Sequence, residues 1–195
     1  MSSTDNPHLH SFQAMIFSDL LRYRPGSKPS WFKVLTMLPF QPGLIASLFL
    51  RLQQVLYRRG LGKLAFATRS LCVALTGADF VPGADVGLGL FIAHPVGLCI
   101  GVGATLGDNV TLAGGVVLGV RDLEATEGGC ATVGNDVFLG AHAVLIGDVK
   151  IGDNAMIGAN TVVLSDVAEN AIVMGVPAKN LGTRPAPGAA TAASG

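Results

Sequence analysis

The sequence predicts a parallel β-solenoid with an α-helical cap in front of it, and three observations carry that expectation. Aliphatic residues recur every six positions at Leu106, Leu112 and Leu118, and after an interruption at Val133, Leu139, Leu145, Ile151, Ile157 and Val163. Glycine often follows the anchor, as at Gly107, Gly119, Gly134, Gly140, Gly152 and Gly158. A small or apolar residue stands four positions beyond it, at Val110, Val116, Val137, Ala143, Val149, Ala155 and Thr161. A period of six suits neither a helix nor simple strand alternation. It suits short strands separated by tight corners, three hexads to a triangular coil, with the anchors filling the prism. Corners such as Gly107-Asp108-Asn109 and Gly152-Asp153-Asn154 supply residues that tolerate a left-handed backbone.

Residues 1–75 read as the helical region, 76–174 as the solenoid with a loop at 120–131, and 175–195 as a C-terminal segment with a disordered tail. The spacing predicts a first short helix from His8 to Arg22, ended by Pro25-Gly26. Trp31 to Met37 is a second, stopped at Pro39. The clearest helix runs from Gly43 to Arg59, with Leu44, Leu48, Leu52, Val55 and Leu56 on one side and Arg51, Gln54 and Arg58 breaking up the rest. Lys63 to Leu75 is the fourth. These helices are expected to cover the first coil, which otherwise presents unpaired strand edges. The apolar run at Leu44 to Leu50 is well short of a membrane span, which leaves peripheral membrane contact as the secondary reading.

The hexads slip by two residues between Ile92 and Ile100, around Ala93-His94-Pro95-Val96-Gly97. They break again between Leu118 and Val133, where fifteen residues stand in place of an expected twelve. Arg121 to Gly129 has the charge and glycine of a projecting loop, a plausible cleft wall. From Arg184 onward the chain is alanine, proline, glycine and serine, a disordered composition.

Composition bounds the function. Thirteen basic and thirteen acidic side chains leave no net charge and no basic block for nucleic acid. Cys72, Cys99 and Cys130 are odd in number and widely spaced, which is neither a disulfide framework nor a metal knuckle. The polar start lacks the order of a signal peptide, so a cytoplasmic location is expected. Half of the residues are apolar and only 13% are charged, an excess that subunit contacts would cover.

Of four histidines, His8 and His10 lie in the polar start and His142 in a regular corner. His94 sits in the irregular insertion. An imidazole there can take a hydroxyl proton at neutral pH as the oxygen attacks; the alternative is a histidine that merely fills a corner bend. The solenoid offers two histidines where zinc would want three, so no metal is expected. Cys130 has no activating base beside it in sequence.

The segments Thr76-Gly77-Ala78-Asp79-Phe80-Val81-Pro82, Phe91-Ile92-Ala93-His94-Pro95-Val96-Gly97 and Gly175-Val176-Pro177-Ala178-Lys179 flank and punctuate the hexads. With Ser30-Trp31-Phe32-Lys33-Val34-Leu35, they resemble the serine O-acetyltransferase branch of the hexapeptide-repeat acyltransferases, over residues 17–182. The resemblance implies a left-handed parallel β-helix, a homotrimer or a pair of trimers, and acetyl-CoA bound between neighbouring subunits. It implies His94 as general base and Asp79 as an acid at the solenoid's opening. Gly114, Gly115, Gly140 and Ala141 would border the donor, and Lys179 would approach a CoA phosphate. Cys130 and Arg121 would border the acceptor, with Asp122, Glu124 and Glu127 in the same loop.

The chain departs from that branch where an amino-acid zwitterion is held. Ala93 stands in place of an aspartate, Gly129-Cys130-Ala131 in place of Arg-His-Pro, Val102 in place of a glutamate, and Pro25 or Gly26 in place of an early aspartate. Desolvating a zwitterion without opposite charges is costly. The expected acceptor is therefore a hydroxyl of a sugar or polysaccharide precursor, as in exopolysaccharide and capsule acetyltransferases. The alternatives are serine and a trimeric scaffold without activity.

Overall fold

The computed structural model describes residues 10–121 and 129–185. Helix α1 (Phe12–Tyr23) begins where the Ser11 hydroxyl accepts from Ala14 N–H, and α2 (Trp31–Met37) where Ser30 does the same for Lys33. A 3₁₀ turn at Leu38–Phe40 leads into α3 (Pro42–Arg58), and α4 (Gly62–Thr76) ends on Gly77 in the left-handed conformation. The four expected helices are present, with ends shifted by a few residues.

Three sheets follow, parallel and each collecting every third strand as far as β13. The first contains β1 (Asp79–Phe80), β4 (Cys99–Ile100), β7 (Val117–Gly119), β10 (Val144–Ile146) and β13 (Val162–Val163). The second contains β2 (Asp85–Val86), β5 (Thr105–Leu106), β8 (Thr132–Val133) and β11 (Lys150–Ile151). The third contains β3 (Phe91–Ile92), β6 (Thr111–Leu112), β9 (Phe138–Leu139), β12 (Met156–Ile157), β14 (Ala171–Met174) and β15 (Lys179–Thr183). This is a left-handed β-helix. All nine hexad anchors are at most 3% exposed, and the seven residues four places on are at most 2% exposed. Both sets fill the prism because strand pairs stack in register, Ile100 on Leu118 and Leu145 on Val163.

The corners also stack. Gly77, Gly97, Gly115, His142 and Asn160 all have positive φ, between 55° and 76°, and form one column between the third and first sheets. Asn109, Asp136, Asn154 and Asn170 repeat this on the next corner but one, as the Gly-Asp-Asn corners predict.

The break after Leu118 differs from its sequence reading. Strand β7 is followed directly by β8 on the next sheet, a single hexad step. The register therefore advances by 27 residues at Thr105↔Thr132, against 18 at Val144↔Val162, so nine residues are inserted rather than three. Asp122, Glu124 and Glu127 lie outside the described residues, as does the tail beyond Pro185. Within the C-terminal segment, Lys179–Thr183 forms β15, antiparallel to β14.

The cap joins the first coil through polar groups. In β3 the Phe91 and Ala93 amides donate down to the second coil, leaving the Ile92 N–H and carbonyl to face the helices. The Tyr23 hydroxyl donates to Ile92 O (2.9 Å) and accepts from Ile92 N (3.1 Å). Burial pushes this phenol well above its ordinary pKa, so it stays protonated. A β-carbon on Gly43 would overlap the Ile92 carbonyl, which explains a glycine in the first turn of α3. Arg51 is fully buried beside Asp19, with Nε and Nη2 on the carboxylate at 2.9 and 2.8 Å. Its remaining donors reach Val86 O (2.7 Å), Gly87 O (2.6 Å) and Gln54 Oε1 (3.0 Å). Asp19 also accepts from Leu90 N and from Ser47.

This differs from the expected polarity of α3, of whose apolar side Leu44 alone is fully buried. Leu44, Ser47, Leu50, Arg51 and Gln54 are buried, whereas Leu48 and Leu52 border an apolar groove with Leu38, Ile45, Phe49 and Leu75. The target of the helix is an unpaired backbone edge, so its inward face must carry donors as well as methyl groups. Among the described residues no helix is long and apolar enough to cross a membrane.

Candidate active site

The two extra residues between Ile92 and Ile100 bulge outward at the corner between the third and first sheets. Gly97 N–H donates to Gly77 O (3.0 Å) above, and Val96 O accepts from Gly115 N (3.2 Å) below. Leu98 N–H closes the bulge on Pro95 O (3.1 Å). His94 is thereby exposed, with Val96 beside it at 72% exposure.

Below the bulge lies Gly114-Gly115. A β-carbon on Gly114 would stand 3.2 Å from the β-carbon of His94, and one on Gly115 would collide with the His142 imidazole. Two exposed imidazoles therefore flank the same glycine pair, one from the coil above and one from the coil below. The glycines are required by coil-to-coil packing, and the same holds at Gly140, where a β-carbon would meet the Ala159 amide. His142 N–H donates to Gly114 O and Asn160 N–H to Ala141 O, both near 2.9 Å, which carries the corner down the prism. At its foot Ala178 N–H donates to Val162 O (2.9 Å), followed by the exposed Lys179. Four coil spacings of about 4.8 Å separate the His94 bulge from Lys179, about 19 Å along one edge.

Asp79 opens the first sheet one coil above the bulge, two residues after Gly77. Its two oxygens are bound side-on by Arg69, Nε to Oδ1 at 2.5 Å and Nη2 to Oδ2 at 2.7 Å. That guanidinium holds the Asp79 carboxyl below the usual carboxylate range. Both side chains are about one-third exposed and line a cleft of about 420 Å³ with Phe66, Ser70 and Val73. Asp79 thus meets Arg69 rather than standing by itself, and Arg69 is the residue that reading the sequence missed. The usable signal was that Lys63 and Arg69 are the charged residues of α4, and Arg69 is ten positions before Asp79.

The structure separates the other expected residues from this corner. Cys130 is 4% exposed, with Sγ packed against Gly101, and burial pushes its thiol pKa up. It belongs to the packing between coils, which corrects its expected place at the acceptor and removes it as a thiolate nucleophile. Arg121 lies over Gly147 at the far border of the first sheet and reaches Leu164 O (3.3 Å). His94 and Arg121 thus stand on different edges of one prism. Among the described residues no three His, Cys, Asp or Glu are placed to hold a metal ion.

The pattern described as "Bacterial transferase hexapeptide (six repeats)" matches residues 130–165, and "Hexapeptide repeat of succinyl-transferase" matches 96–119. The chain is 41% identical over 148 residues to the serine acetyltransferase of Mycobacterium tuberculosis, covering 75% of this chain and 64% of that protein. It is 36% identical over 147 residues to the Helicobacter pylori serine acetyltransferase, covering 67% of this chain and 84% of that one. The crystal structure of Neisseria gonorrhoeae serine acetyltransferase superposes with a TM-score of 0.82 at 31% identity, over 94% of this chain and 70% of that one. The chain belongs to the serine acetyltransferase family. It spans less than two-thirds of its mycobacterial relative. Among other members of the family, the gonococcal enzyme has also been solved with serine (TM-score 0.77, 32% identity, 88% and 69% covered). The Brucella abortus enzyme has been solved with coenzyme A (TM-score 0.76, 28% identity, 89% and 68% covered).

These relatives overturn the expected sugar or polysaccharide acceptor, and with it the likeness to capsule and exopolysaccharide enzymes. The expectation rested on missing charges at particular loop positions.

Proposed function

We propose that this chain transfers the acetyl group of acetyl-CoA to the side-chain hydroxyl of serine, with His94 as general base. The carrying observation is the exposed imidazole in the corner bulge of a chain whose relatives are serine acetyltransferases. Among those relatives, one structure contains serine and another coenzyme A.

His94 Nε2 or Nδ1 takes the hydroxyl proton as the serine oxygen bonds to the thioester carbon. The tetrahedral intermediate collapses with cleavage of the carbon–sulfur bond, and imidazolium returns the proton to the departing thiolate. No acyl-enzyme forms. The donor lies along the corner column, with its reactive end at His94 and its phosphates toward Lys179, and passes Gly114, Gly115, Gly140, Ala141 and His142. The glycines give this edge a low profile, while the room beside Gly115 is filled by His142, so the donor lies over the corner rather than within it.

The active unit is a trimer, as the excess of apolar surface supports. Because His94 and Arg121 occupy different edges of one prism, a cleft containing both takes one residue from each of two subunits. The test is thiol release from acetyl-CoA with an acceptor panel. Native protein is expected to be active with L-serine, and His94→Ala to lose at least a hundredfold in kcat at unchanged melting temperature. Activity on sugars but not serine, or full activity in His94→Ala, overturns the reading.

A further inference from the structure

The chain is neutral as a whole, yet its charge is divided between its two parts. Between Asp19 and Asp79 the sequence holds nine lysines and arginines and no acidic residue, whereas from Asp79 onward eleven acidic side chains stand against four basic ones. Arg51, Arg58 and Arg69 are paired with Asp19, Asp85 and Asp79. Arg24, Lys28, Arg59 and Lys63 are exposed, and among the described residues none of them meets a carboxylate. Large apolar side chains stand out from the same part of the chain. Phe32 is 75% exposed, Leu35 65% and Phe40 78%, all within α2 and the 3₁₀ turn. Leu64, Leu71 and Leu75 lie on one stripe of α4, each at least half exposed. Between these elements, over α3, runs the apolar groove of Leu38, Ile45, Leu48, Phe49, Leu52 and Leu75, about 330 Å³ in volume. Leu38 belongs to the 3₁₀ turn and Leu75 to the α4 stripe, so the groove joins both into one surface. Cations flank it, Lys28 and Lys33 at the start of α2, Arg59 and Lys63 in the turn from α3 to α4.

We infer that this outer face of the helical cap docks on a lipid bilayer with anionic headgroups. The phenylalanines and leucines enter the boundary between headgroups and acyl chains, while the lysines and arginines lie against the phosphates. Long basic side chains suit that boundary, since their stems cover apolar surface and their charged ends stay among the headgroups. The charge pattern favours this occupant over a second copy of the cap. Two caps face to face would bring their cations together, with no carboxylate between residues 20 and 78 to pair with them. A nucleic acid would meet the cations but leave the phenylalanines and leucines without an apolar medium. The acidic solenoid is repelled by the same bilayer, which orients the prism away from it. The contact is peripheral, because no described helix is long and apolar enough to cross a membrane. A cyclic trimer carries its three caps at one end, so three weak contacts act together.

Trp31 is the single tryptophan of the chain and lies in α2, 41% exposed against the rings of Phe12 and Phe17, so its emission reports the contact. Flotation of the full-length protein is compared on vesicles of phosphatidylcholine alone and on vesicles with about one-third phosphatidylglycerol. The bound fraction is expected to be about tenfold higher on the anionic vesicles and to fall in ~0.5 M salt. Binding should shift Trp31 emission to the blue, with quenching by brominated acyl chains. Phe32→Ser/Phe40→Ser should lower binding about tenfold, and Lys28→Gln/Lys63→Gln should remove the preference for anionic vesicles, both at unchanged melting temperature. If the first pair fails to fold, Leu64→Ser/Leu71→Ser carries the same expectation. Leu181→Ser, an exposed apolar change at the far end of the solenoid, should leave binding as it is. Equal binding to neutral vesicles, none to anionic ones, or full binding in Phe32→Ser/Phe40→Ser overturns the inference. A trimer mass that doubles without vesicle binding, and is restored by Phe32→Ser/Phe40→Ser, also overturns it and assigns the face to a second copy. Retention of duplex nucleic acid in place of vesicles overturns it as well.

Discussion

Three arginine–aspartate pairs stand at the junction of cap and solenoid, Arg51–Asp19, Arg58–Asp85 and Arg69–Asp79, and the first and the last differ most in exposure. Arg51–Asp19 is wholly excluded from solvent, and every donor of the arginine has an acceptor. Arg69–Asp79 is about one-third exposed and uses one edge of its guanidinium. The first takes the place of a missing coil by meeting Val86 O, Gly87 O and Leu90 N, so its value is structural. The last contributes little to stability, since an exposed pair is worth about 0–1 kcal/mol. Every polar atom of the buried arginine is fixed by a partner, whereas solvent reaches the last pair.

The largest expected effect separates the two directly. Arg51→Met strands a buried carboxylate and should cost about 3–5 kcal/mol in urea unfolding. The double variant Arg51→Met/Asp19→Leu removes that charge but still leaves Val86 O, Gly87 O and Leu90 N without partners. It should recover part of the loss, and full recovery would show that the backbone edge matters less than the ion pair. Tyr23→Phe, which removes both bonds to Ile92, should follow at about 1–3 kcal/mol. If its unfolding midpoint were unchanged, Tyr23 would have no part in holding the edge.

The smallest effect concerns Asp79. Its carboxyl is depressed in the folded chain, so its contribution is present above the unfolded value near pH 4 and disappears as pH falls through the lower, folded value. The melting-temperature gap between wild type and Asp79→Asn should therefore be small at pH 7 and close below about pH 4. A gap that persists undiminished at low pH would mean that Asp79 acts through something other than its charge.

The solenoid was legible because its rule is local. Each anchor from Leu106 to Val163 is six positions from the next, and a stack of identical coils buries whatever recurs. His94 was legible for the complementary reason, as an interruption of that rule. The cap was harder. Its helices were found by their apolar spacing, but spacing assigns charged residues outward, and Arg51 and Gln54 point inward to backbone that lies 32 to 36 positions away. The same limitation hid Arg69. Its role depends on Asp79 lying across a turn from α4, a proximity created by the left-handed Gly77 and not by any periodicity. The missing loop charges are visible in sequence, whereas the contact between Arg69 and Asp79 exists only in three dimensions.

The strand at the other extremity completes the picture. Strand β15 runs antiparallel to β14 and so ends the parallel run of the third sheet, as the side chains of α1 and α3 meet the first coil at the beginning. The third sheet is therefore covered at both ends by segments that do not continue its parallel coil, and the ridge bearing His94 runs between those ends with its imidazole exposed.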